Sequence, residues 1–345
     1  SWMANLEEKN GSRGGGAPIK SPGRLGGRGM SFHFPEQSRL YGVLRAGWHR
    51  AVDGPRQWHN RCFASGQSIE EDDLGFTVRW AGRGELRAGR LRPLDRARAC
   101  ASILASGPSV HSLRCPERLF DRPVCCVNGS VELAAALGVR ADYYMVSDHR
   151  FILDRPDLFR MGVLVSRAVV LNPMSVFAAM LAAPDAVAEA NLFLREDLRR
   201  PFKRPRPTRS QMLEDPRVIA DAAGDLAFSL DPGVGTFPAG TVVFDALQVL
   251  FGIGYRAIYM FGVDLTDGPR FYHEAHPAAN ELTRTYDRRI EPAFELVAEY
   301  LRRSGRVLLN GSLVSRLPAS IIPKVDGNLL LDRLGRSEPS PAAAA

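Results

Sequence analysis

Short apolar runs alternate with longer amphipathic stretches between about residue 96 and residue 311. Apolar runs that stop at Gly, Pro, Asn or Ser are typical of buried strands, and apolar residues at helical spacing predict helices. Strands are predicted in "CASIL" (100–104), "PVCCV" (123–127), "ADYYMV" (141–146), "AVVL" (168–171), "RAIYMFGVDL" (256–265) and "RVLLN" (306–310). Helices are predicted at 130–137, 241–253 and 286–303, the last with a separate first piece because Pro292 interrupts it.

Strands that alternate with helices predict an α/β fold with a mostly parallel sheet flanked by helices, of the Rossmann-like class. We assign this domain to residues 96–330. Residues 31–95 contain scattered aromatics and a hairpin pattern at 74–91, and they are predicted to form a small N-terminal extension. The Gly-rich and Arg-rich residues 1–30 are predicted to be a disordered leader or tag, and residues 331–345 a disordered tail.

Polar clusters follow these strands, which matters because open α/β sheets bind ligands beyond the carboxyl ends of their strands. Five clusters supply the candidate site residues: Ser106, Gly107 and Ser109; Asn128 and Gly129; Asp148; Gly240 and Thr241; and Asp264, Arg270, Tyr272, His273 and His276. Four of them have a structural alternative: a plain turn at 106–109, a helix N-cap at 128–130, a strand-end salt bridge at Asp148, and exposed loop histidines without a role after Asp264. Their convergence on one edge favours an active site.

The residue types in these clusters suit an anionic ligand and proton transfer. Glycine lets a phosphate or ribose approach the backbone, and serine hydroxyls donate to it. Backbone N–H groups before the helix at 241–253, after Thr236 and Gly240, favour a phosphate or carboxylate. A histidine beside Asp264 suits acid–base work near neutral pH. The chain has neither a GxGxxG nor a Walker A motif at these points, so dinucleotide binding and P-loop chemistry lack support.

Composition adds a basic character to this picture. The chain of 345 residues carries a formal charge of +7, most of it from arginine, which makes planar contacts with phosphate and carboxylate. An anionic partner is therefore one interpretation, and solvated surface arginines are the other. "RRPFKRPRPTR" at 199–209 is predicted to be a loop that is either mobile or binds an anionic acceptor or membrane headgroups.

Cysteine usage and hydropathy narrow the class of protein. The five cysteines form no CxxC pair, which predicts reduced thiols rather than a zinc site or a disulfide framework. No apolar run is long enough to span a membrane, and no secretory signal pattern is present, so we expect a cytoplasmic protein.

The motifs "SGPS" (106–109), "VNGS" (127–130), "YMVSDHRF" (144–151) and "FDALQVLFGIGYRAIYMFGVDLTDGPRFY" (244–272) resemble the WaaZ-type Kdo transferases of lipopolysaccharide-core assembly. More distantly, the chain is similar to the bacterial sialyltransferases, which share a Gly-Pro-Ser loop and a Gly-x-Asp strand end. The resemblance covers residues 100–326, and it is the order and spacing of the motifs that make it specific.

The resemblance implies a glycosyltransferase that moves Kdo, or a related 2-keto acid sugar, from CMP-Kdo to an anionic lipopolysaccharide-core or glycan acceptor. It implies no metal and no cofactor beyond this donor. Ser106, Gly107, Ser109, Asn128 and Gly129 would line the donor site, and a further list of residues would complete it: Gly240, Thr241, Arg270 and Tyr272. A peripheral location on the inner face of the inner membrane is implied as well, and nucleic acid is not an expected partner.

For catalysis, the resemblance to a related β-Kdo transferase family implies that Asp264 attacks the donor to form a covalent aspartyl-sugar intermediate. Arg270 is expected to keep this carboxylate ionised. His276 or His273 would act as acid or base, and Asp148 is the second candidate nucleophile. If the enzyme inverts, Asp264 would be structural or donor-binding. Two other functions stay open: an ATP- and magnesium-dependent pterin pyrophosphokinase-like enzyme, and a nonenzymatic basic binder of nucleic acid or membrane surfaces.

Overall fold

Contacts within the chain define two units, residues 1–64 and residues 65–345. The computed structural model describes residue 54 and residues 56–94, 98–273 and 282–335. The described part of the first unit contains a 3₁₀ helix, Trp58–Cys62, in which the Arg61 guanidinium lies over the Trp58 ring. The second unit contains the sheet and every candidate site residue that the structure describes.

A ten-stranded sheet forms the centre of the second unit, in the order β1-β2-β3-β8-β7-β6-β5-β4-β11-β12. All pairs from β3 to β12 along this order are parallel, and β1-β2 and β2-β3 are antiparallel. The strands are β1 Gln67–Asp72, β2 Gly75–Trp80, β3 Gly84–Arg90, β4 Arg98–Leu104, β5 Val124–Val127, β6 Ala141–Val146, β7 Ser166–Leu171, β8 Leu192–Leu194, β11 Tyr255–Phe261 and β12 Val307–Asn310. Strands β9 Val218–Ala220 and β10 Ala227–Ser229 form a separate antiparallel pair.

Helices connect the strands and cover the sheet. They are α1 Val131–Leu137, α2 His149–Asp154, α3 Pro156–Leu164, α4 Pro173–Ala182, α5 Pro184–Glu189, α6 Arg209–Glu214, α7 Val242–Gly252, α8 Leu282–Thr285, α9 Glu291–Arg303 and α10 Gly327–Gly335. A π-helical segment, Tyr286–Ile290, joins α8 to α9. None of the helices that the structure describes is both long and apolar enough to cross a membrane.

Both faces of the sheet are buried. Tyr144 of β6 packs against Phe159 and Gly162 of α3, whereas the next residue, Met145, belongs to the apolar cluster that contains Phe244 of α7. Successive side chains of a strand point to opposite faces, so α3 and α7 lie on opposite sides of the sheet. The protein is therefore an α/β protein with a mostly parallel sheet flanked by helices, as the alternation of strands and helices predicts.

The predicted elements of the core are confirmed. Each of the six apolar runs forms a strand, and the helices at 130–137 and 241–253 form as α1 and α7. Pro292 lies in the first turn of α9, after a π-helical segment, which confirms the separate first piece. Of the thiols in the second unit, Cys100, Cys125 and Cys126 are buried, whereas Cys115 is exposed.

The hairpin pattern at 74–91 is also confirmed, since β2 and β3 pair antiparallel. It does not stand apart from the sheet, because β3 pairs in parallel with β8 and so adds the hairpin to the edge. Gly75 is at φ +149°, and a Cβ there would lie 2.3 Å from the carbonyl oxygen of Ala88, so the start of β2 requires glycine. The division into an extension and a main domain at residue 95 stays a prediction.

Candidate active site at the carboxyl edge of the sheet

The strand order reverses at β4. The chain crosses the sheet from β4 to β8 in one direction and then places β11 on the other side of β4. Open α/β sheets bind ligands at such a switch point, in the crevice beyond the carboxyl ends. The loops that leave β4 and β11 at this point are residues 105–109 and 262–273, the two richest candidate clusters of the sequence.

Asp264 links these two loops. One of its oxygens accepts a hydrogen bond from the backbone N–H of Ser109 at 2.8 Å, and the other accepts from the Ser109 hydroxyl at 2.5 Å. The residue is 2% exposed. It has no ion-pair partner among the described residues, and both of the groups that donate to its side chain belong to Ser109, which is neutral. Ser109 therefore ties the Asp264 carboxylate to the loop after β4.

Close backbone packing explains why glycine occupies this junction. The N–H of Gly107 donates to the carbonyl of Gly262 at 2.8 Å. A Cβ at residue 107 would lie 2.5 Å from both that carbonyl oxygen and a carboxylate oxygen of Asp264. Gly262 has φ +66°, and a Cβ there would lie 2.4 Å from the carbonyl oxygen of Ala105. Side chains at either position would separate the two loops.

Tyr272 lies on Gly129 at the end of β5. A Cβ at residue 129 would be 2.0 Å from the Tyr272 hydroxyl, so only glycine leaves room for this ring. The neighbouring Asn128 has φ +50°, and its side-chain oxygen is buried and accepts no hydrogen bond from the part of the chain that the structure describes. Leaving a buried acceptor unsatisfied costs about 1–3 kcal/mol. Asn128 therefore has an acceptor available for a ligand.

Arg270 contacts Ser106 in the loop after β4. Its guanidinium donates to the Ser106 hydroxyl at 2.8 Å, and the Phe271 N–H donates to the Ser106 carbonyl at 3.0 Å. Ser106 thus holds Arg270 and Ser109 holds Asp264, and the influence of Arg270 on the charge of Asp264 stays a prediction. The arginine still lies in the predicted cluster, where it presents a cation beside Gly107.

Three described residues other than glycine have a left-handed backbone: Asn128, Lys203 and Leu265. Asn128 and Leu265 lie in the loops directly after β5 and β11, at the carboxyl edge, whereas Lys203 lies further along the chain after β8 and donates to the carbonyl of Gln67 at the start of β1. Such conformations cost about 1–3 kcal/mol and persist where the surrounding structure imposes them, which is common at functional sites. At Asn128 and Leu265 the strain thus coincides with the edge that the polar clusters indicate.

Asp148 caps a helix. Its side chain accepts from the Arg150 N–H at 3.0 Å and pairs with the Arg150 guanidinium at 2.9 Å. The structural alternative for this cluster is thus present in full. The next residue, His149, is buried, and burial lowers the pKa of its imidazole, against the opposing effect of Asp148. Asp148 forms no hydrogen bond to Asp264.

The segment before α7 serves that helix and a buried network. The Thr241 hydroxyl caps α7 by accepting from the Val243 N–H, and Gly240, at φ +90°, packs against Thr285 and Ile290. Thr236 does not face a ligand, because it is buried and hydrogen-bonded to Arg195 and Asp245. Neither Thr241 nor Gly240 hydrogen-bonds to the Asp264 cluster.

Arg195 and Asp245 form a fully buried ion pair with nitrogen and oxygen 3.0 Å apart. The Ser147 hydroxyl accepts from Arg195 and donates to Asp245, both at 2.6 Å, and Thr236 also contacts both. Burial raises the pKa of Asp245, and Arg195 is the main influence that opposes this rise. We call Arg195, Asp245, Ser147 and Thr236 the buried ion-pair network. It ties the loops after β6 and β8 to the loop before α7 and to α7 itself.

This network is the feature that sequence reasoning missed. Arg195 follows a strand of three residues, which is too short to be recognised as an apolar run, and Asp245 is the one charged residue of a helix that is mostly apolar. An acid within the apolar pattern of residues 242–251 is a signal that could have been used, since a buried charge requires a partner. The identity of the partner was not readable.

Of the two histidines predicted for the site, the structure describes one. His273 is exposed at the end of the 262–273 loop, and His276 lies outside the described residues. Within the described ranges, no group of three or more His, Cys, Asp or Glu side chains is arranged to hold a metal ion. The structure thus brings together eight candidates (Ser106, Gly107, Ser109, Asn128, Gly129, Asp264, Arg270 and Tyr272) and leaves Asp148, Gly240 and Thr241 in other contacts.

Comparisons with known proteins give limited similarity. No protein-family model matches the chain. A protein of Salmonella typhimurium described as a probable 3-deoxy-manno-octulosonic acid transferase is 27% identical over 243 residues, which cover 67% of this chain and 88% of that protein. The solved MAf glycosyltransferase of Magnetospirillum magneticum AMB-1 is 16% identical with a TM-score of 0.39, over 70% of this chain and 36% of that one. The chain thus spans about a third of that structure.

Proposed function

We propose that this protein is a glycosyltransferase that transfers Kdo, or a related 2-keto acid sugar, from its CMP conjugate to a glycan acceptor. The observation that carries the proposal is the contact of Asp264 with Ser109 at the switch point of the sheet. It joins the Gly-Pro-Ser loop to the Gly-x-Asp strand end, two of the features that carry the resemblance. Similarity to a probable 3-deoxy-manno-octulosonic acid transferase supports the same chemistry.

The donor occupies the loops after β4 and β5 in this proposal. Arg270 and the hydroxyl of Ser106 face the phosphate, since a guanidinium and a hydroxyl are both donors to it. The unsatisfied side-chain oxygen of Asn128 accepts from an N–H or O–H group of the nucleoside. Tyr272, packed on Gly129, closes the side of this pocket towards β11.

Asp264 is the reacting carboxylate. One of its oxygens attacks the anomeric carbon of the sugar, the bond from that carbon to the phosphate oxygen breaks, and CMP leaves with the electron pair. An acceptor hydroxyl then attacks the same carbon, loses its proton to a base, and releases the carboxylate. His273 and His276 are the proposed bases, since each follows Asp264 closely in the sequence.

Because Asp264 is buried, the proposed attack on the sugar requires a movement of Ser109. Because the residue is 2% exposed, a sugar carbon reaches its oxygen only when the Ser109 hydroxyl releases it. Ser109 lies in a short 3₁₀ helix, Pro108–Ser112, which such a step displaces. We therefore propose that donor binding shifts this turn and transfers one of its hydrogen bonds from Asp264 to the donor phosphate.

A thermal-shift panel tests the function. CMP without added metal should raise the unfolding midpoint, because a ligand that binds only the native state stabilises it. UDP, GDP and ATP with magnesium are the comparison ligands. Stabilisation by ATP with magnesium and not by CMP would favour the pterin pyrophosphokinase-like alternative, and no nucleotide effect would favour the nonenzymatic basic binder. The acceptor, the linkage and a location at the inner membrane stay predictions.

A further inference from the structure

The backbone around Asp264 is held by donors from three separate segments. The carbonyls of residues 262–264 accept one hydrogen bond each. Gly107, in the loop after β4, donates to the first at 2.8 Å, the side-chain amide of Asn310 donates to the second at 3.2 Å, and the Arg316 N–H donates to the third at 2.8 Å. Two of these donors are backbone groups, so Asn310 is the one whose bond depends on the identity of its side chain.

Asn310 is itself fixed on all sides. It is the last residue of β12 and is fully buried. Its backbone N–H donates to the carbonyl of Pro323, and its carbonyl accepts from the N–H of Val325, both at 2.9 Å. Its side-chain oxygen accepts from the Ser312 N–H at 3.1 Å, which determines which end of the amide carries the nitrogen. The amide therefore has one orientation, with Nδ2 directed at the carbonyl of Val263.

The residue after Asp264 shows that this stretch of backbone is constrained. Leu265 is buried and has φ +54°, a left-handed conformation that is uncommon for a residue other than glycine. Such conformations persist where the surrounding structure imposes them. The donors to the carbonyls of Val263 and Asp264 act on the two residues directly before Leu265. They are therefore the hydrogen bonds that hold this turn, and Asn310 supplies one of them.

Asp264 depends on its backbone most during the proposed reaction. In the structure Ser109 binds both carboxylate oxygens, and attack on the sugar requires the Ser109 hydroxyl to move away. The orientation of the released oxygen then depends on the backbone that carries it. A displacement of about 1 Å at a reacting atom can cost about a hundredfold in rate, so the donors to this backbone decide whether the oxygen reaches the anomeric carbon in line.

We propose that Asn310 is a positioning residue for the Asp264 carboxylate. It fixes the carbonyl directly before Asp264, so that the carboxylate keeps its place when the Ser109 hydroxyl releases it. The consequence for sugar transfer rests on the proposed function. The hold on the Asp264 backbone is a property of the folded protein and can be measured without a substrate.

Asn172 forms the same arrangement elsewhere on the sheet and supplies a matched control. It is buried and follows β7, as Asn310 ends β12. Its Nδ2 donates to the carbonyl of Ser147 at 2.9 Å, and its Oδ1 accepts from the Ser175 N–H at 2.8 Å. Asn172 thus links the ends of β7 and β6, whereas Asn310 links the ends of β12 and β11. Neither bond of Asn172 reaches the loop that carries Asp264.

Two variants remove the donor of Asn310. Asn310→Asp keeps an oxygen for the Ser312 N–H, and Asn310→Ala adds no charge. The full-length variants are incubated with a CMP-Kdo generating system and no acceptor, and the sugar adduct is followed by intact mass. Both should form it about tenfold or more slowly, whereas CMP affinity in calorimetric titration should stay within about twofold of wild type. Asn172→Asp should change neither quantity by more than about twofold.

Hydrogen exchange followed by mass spectrometry gives a readout that needs no activity. The N–H groups of Ser109 and Arg316 both donate to Asp264, so the peptides that contain them should exchange about tenfold faster in both Asn310 variants. Asn172→Asp should leave these peptides at the wild-type rate.

Three results would overturn the positioning role: wild-type exchange in the Asn310 variants, the same acceleration in Asn172→Asp, or an active wild type whose adduct slows in Asn310→Asp alone, since that loss would come from the added charge. Failure of the proposed function is distinguishable. It would appear as a wild type that forms no adduct, while faster exchange at Ser109 and Arg316 in the Asn310 variants would still support the hold on Asp264.

Discussion

Two aspartates are buried at the carboxyl edge of the sheet, and their surroundings differ. Asp245 contacts the Arg195 guanidinium at 3.0 Å and the Ser147 hydroxyl at 2.6 Å. Asp264 accepts from the N–H and the hydroxyl of Ser109 and has no cation among the described residues. Both are almost fully shielded from solvent, so burial alone does not separate a structural carboxylate from a reactive one.

The two aspartates differ in the residues that contact their carboxylates. An aspartate paired with a buried arginine has its charge neutralised, and neither group can leave without exposing the other as an unpaired charge. An aspartate held by the N–H and hydroxyl of one serine can exchange the hydroxyl for a substrate without leaving a buried cation unpaired. We therefore propose a structural role for Asp245 and a chemical role for Asp264, and the variants below test that division.

The largest effect on stability is expected from Asp245→Asn. This change leaves the Arg195 charge buried without a counter-charge, which should lower the free energy of unfolding by about 3–5 kcal/mol. Urea denaturation measures it. The double variant R195M/D245L removes both charges and should recover part of the loss. A single variant within about 1 kcal/mol of wild type would show that the pair is not structural.

Asp264→Asn should affect transfer far more than folding. Its amide oxygen can still accept from the Ser109 N–H, and its amide nitrogen can donate to the Ser109 hydroxyl, so the link between the loops survives. Transfer should fall by about a hundredfold or more, because an amide is not a nucleophile. Activity is measured with a CMP-Kdo generating system, and CMP binding should persist. Wild-type turnover in this variant would remove Asp264 from the chemistry.

Gly107→Ala tests the packing that brings Ser109 to Asp264. The new Cβ would lie 2.5 Å from a carboxylate oxygen of Asp264, so overpacking should cost about 1–3 kcal/mol and weaken CMP binding. Gly268→Ala is the matched control, in the same loop as Asp264, because the nearest atom to its Cβ, the Thr266 hydroxyl oxygen, is 3.4 Å away. Equal effects of the two substitutions would show that close packing at residue 107 is unimportant.

The smallest expected effect is on the pH dependence of stability, and it comes from His149, which follows Ser147 of the buried ion-pair network closely in the chain. Burial lowers the pKa of this imidazole below its ordinary 6.5, so below about pH 6.5 the unfolded chain binds a proton that the folded protein excludes. Stability should therefore fall as the pH falls through this range, with a slope of at most about 1.4 kcal/mol per pH unit from this group. Thermal unfolding of His149→Gln between pH 5 and 7 should show a shallower slope than wild type. Identical slopes would contradict the assignment.

The sequence predicts the core of the fold well, because buried parallel strands appear as apolar runs with clear stops. "PVCCV" and "AVVL" need no tertiary information to be identified as strands. The strand β8 is too short to give such a signal, and only its pairing with β3 and β7 defines it. The addition of the hairpin to this edge likewise depends on long-range pairing that no local pattern encodes.

The candidate site is predictable to the level of its loops but not of its contacts. The polar stops of β4, β5 and β11 correctly indicate where Ser109, Gly129 and Asp264 gather. Which partner each side chain takes depends on the register of strands that are far apart in sequence, so the Ser106 contact of Arg270 could not be foreseen. The pairing of Arg195 with Asp245 was hidden for the same reason.

The most direct test of the account is intact-mass analysis of the protein after incubation with a CMP-Kdo generating system and no acceptor. We predict a mass increase of one sugar residue, located by peptide mapping to the peptide that contains Asp264 and missing from Asp264→Asn. The Asp148→Asn variant should still form the adduct, because the Asp148 carboxylate is committed to Arg150 and the cap of α2. An adduct on Asp148, or an adduct that survives in Asp264→Asn, would contradict the assignment of the chemistry to the switch point.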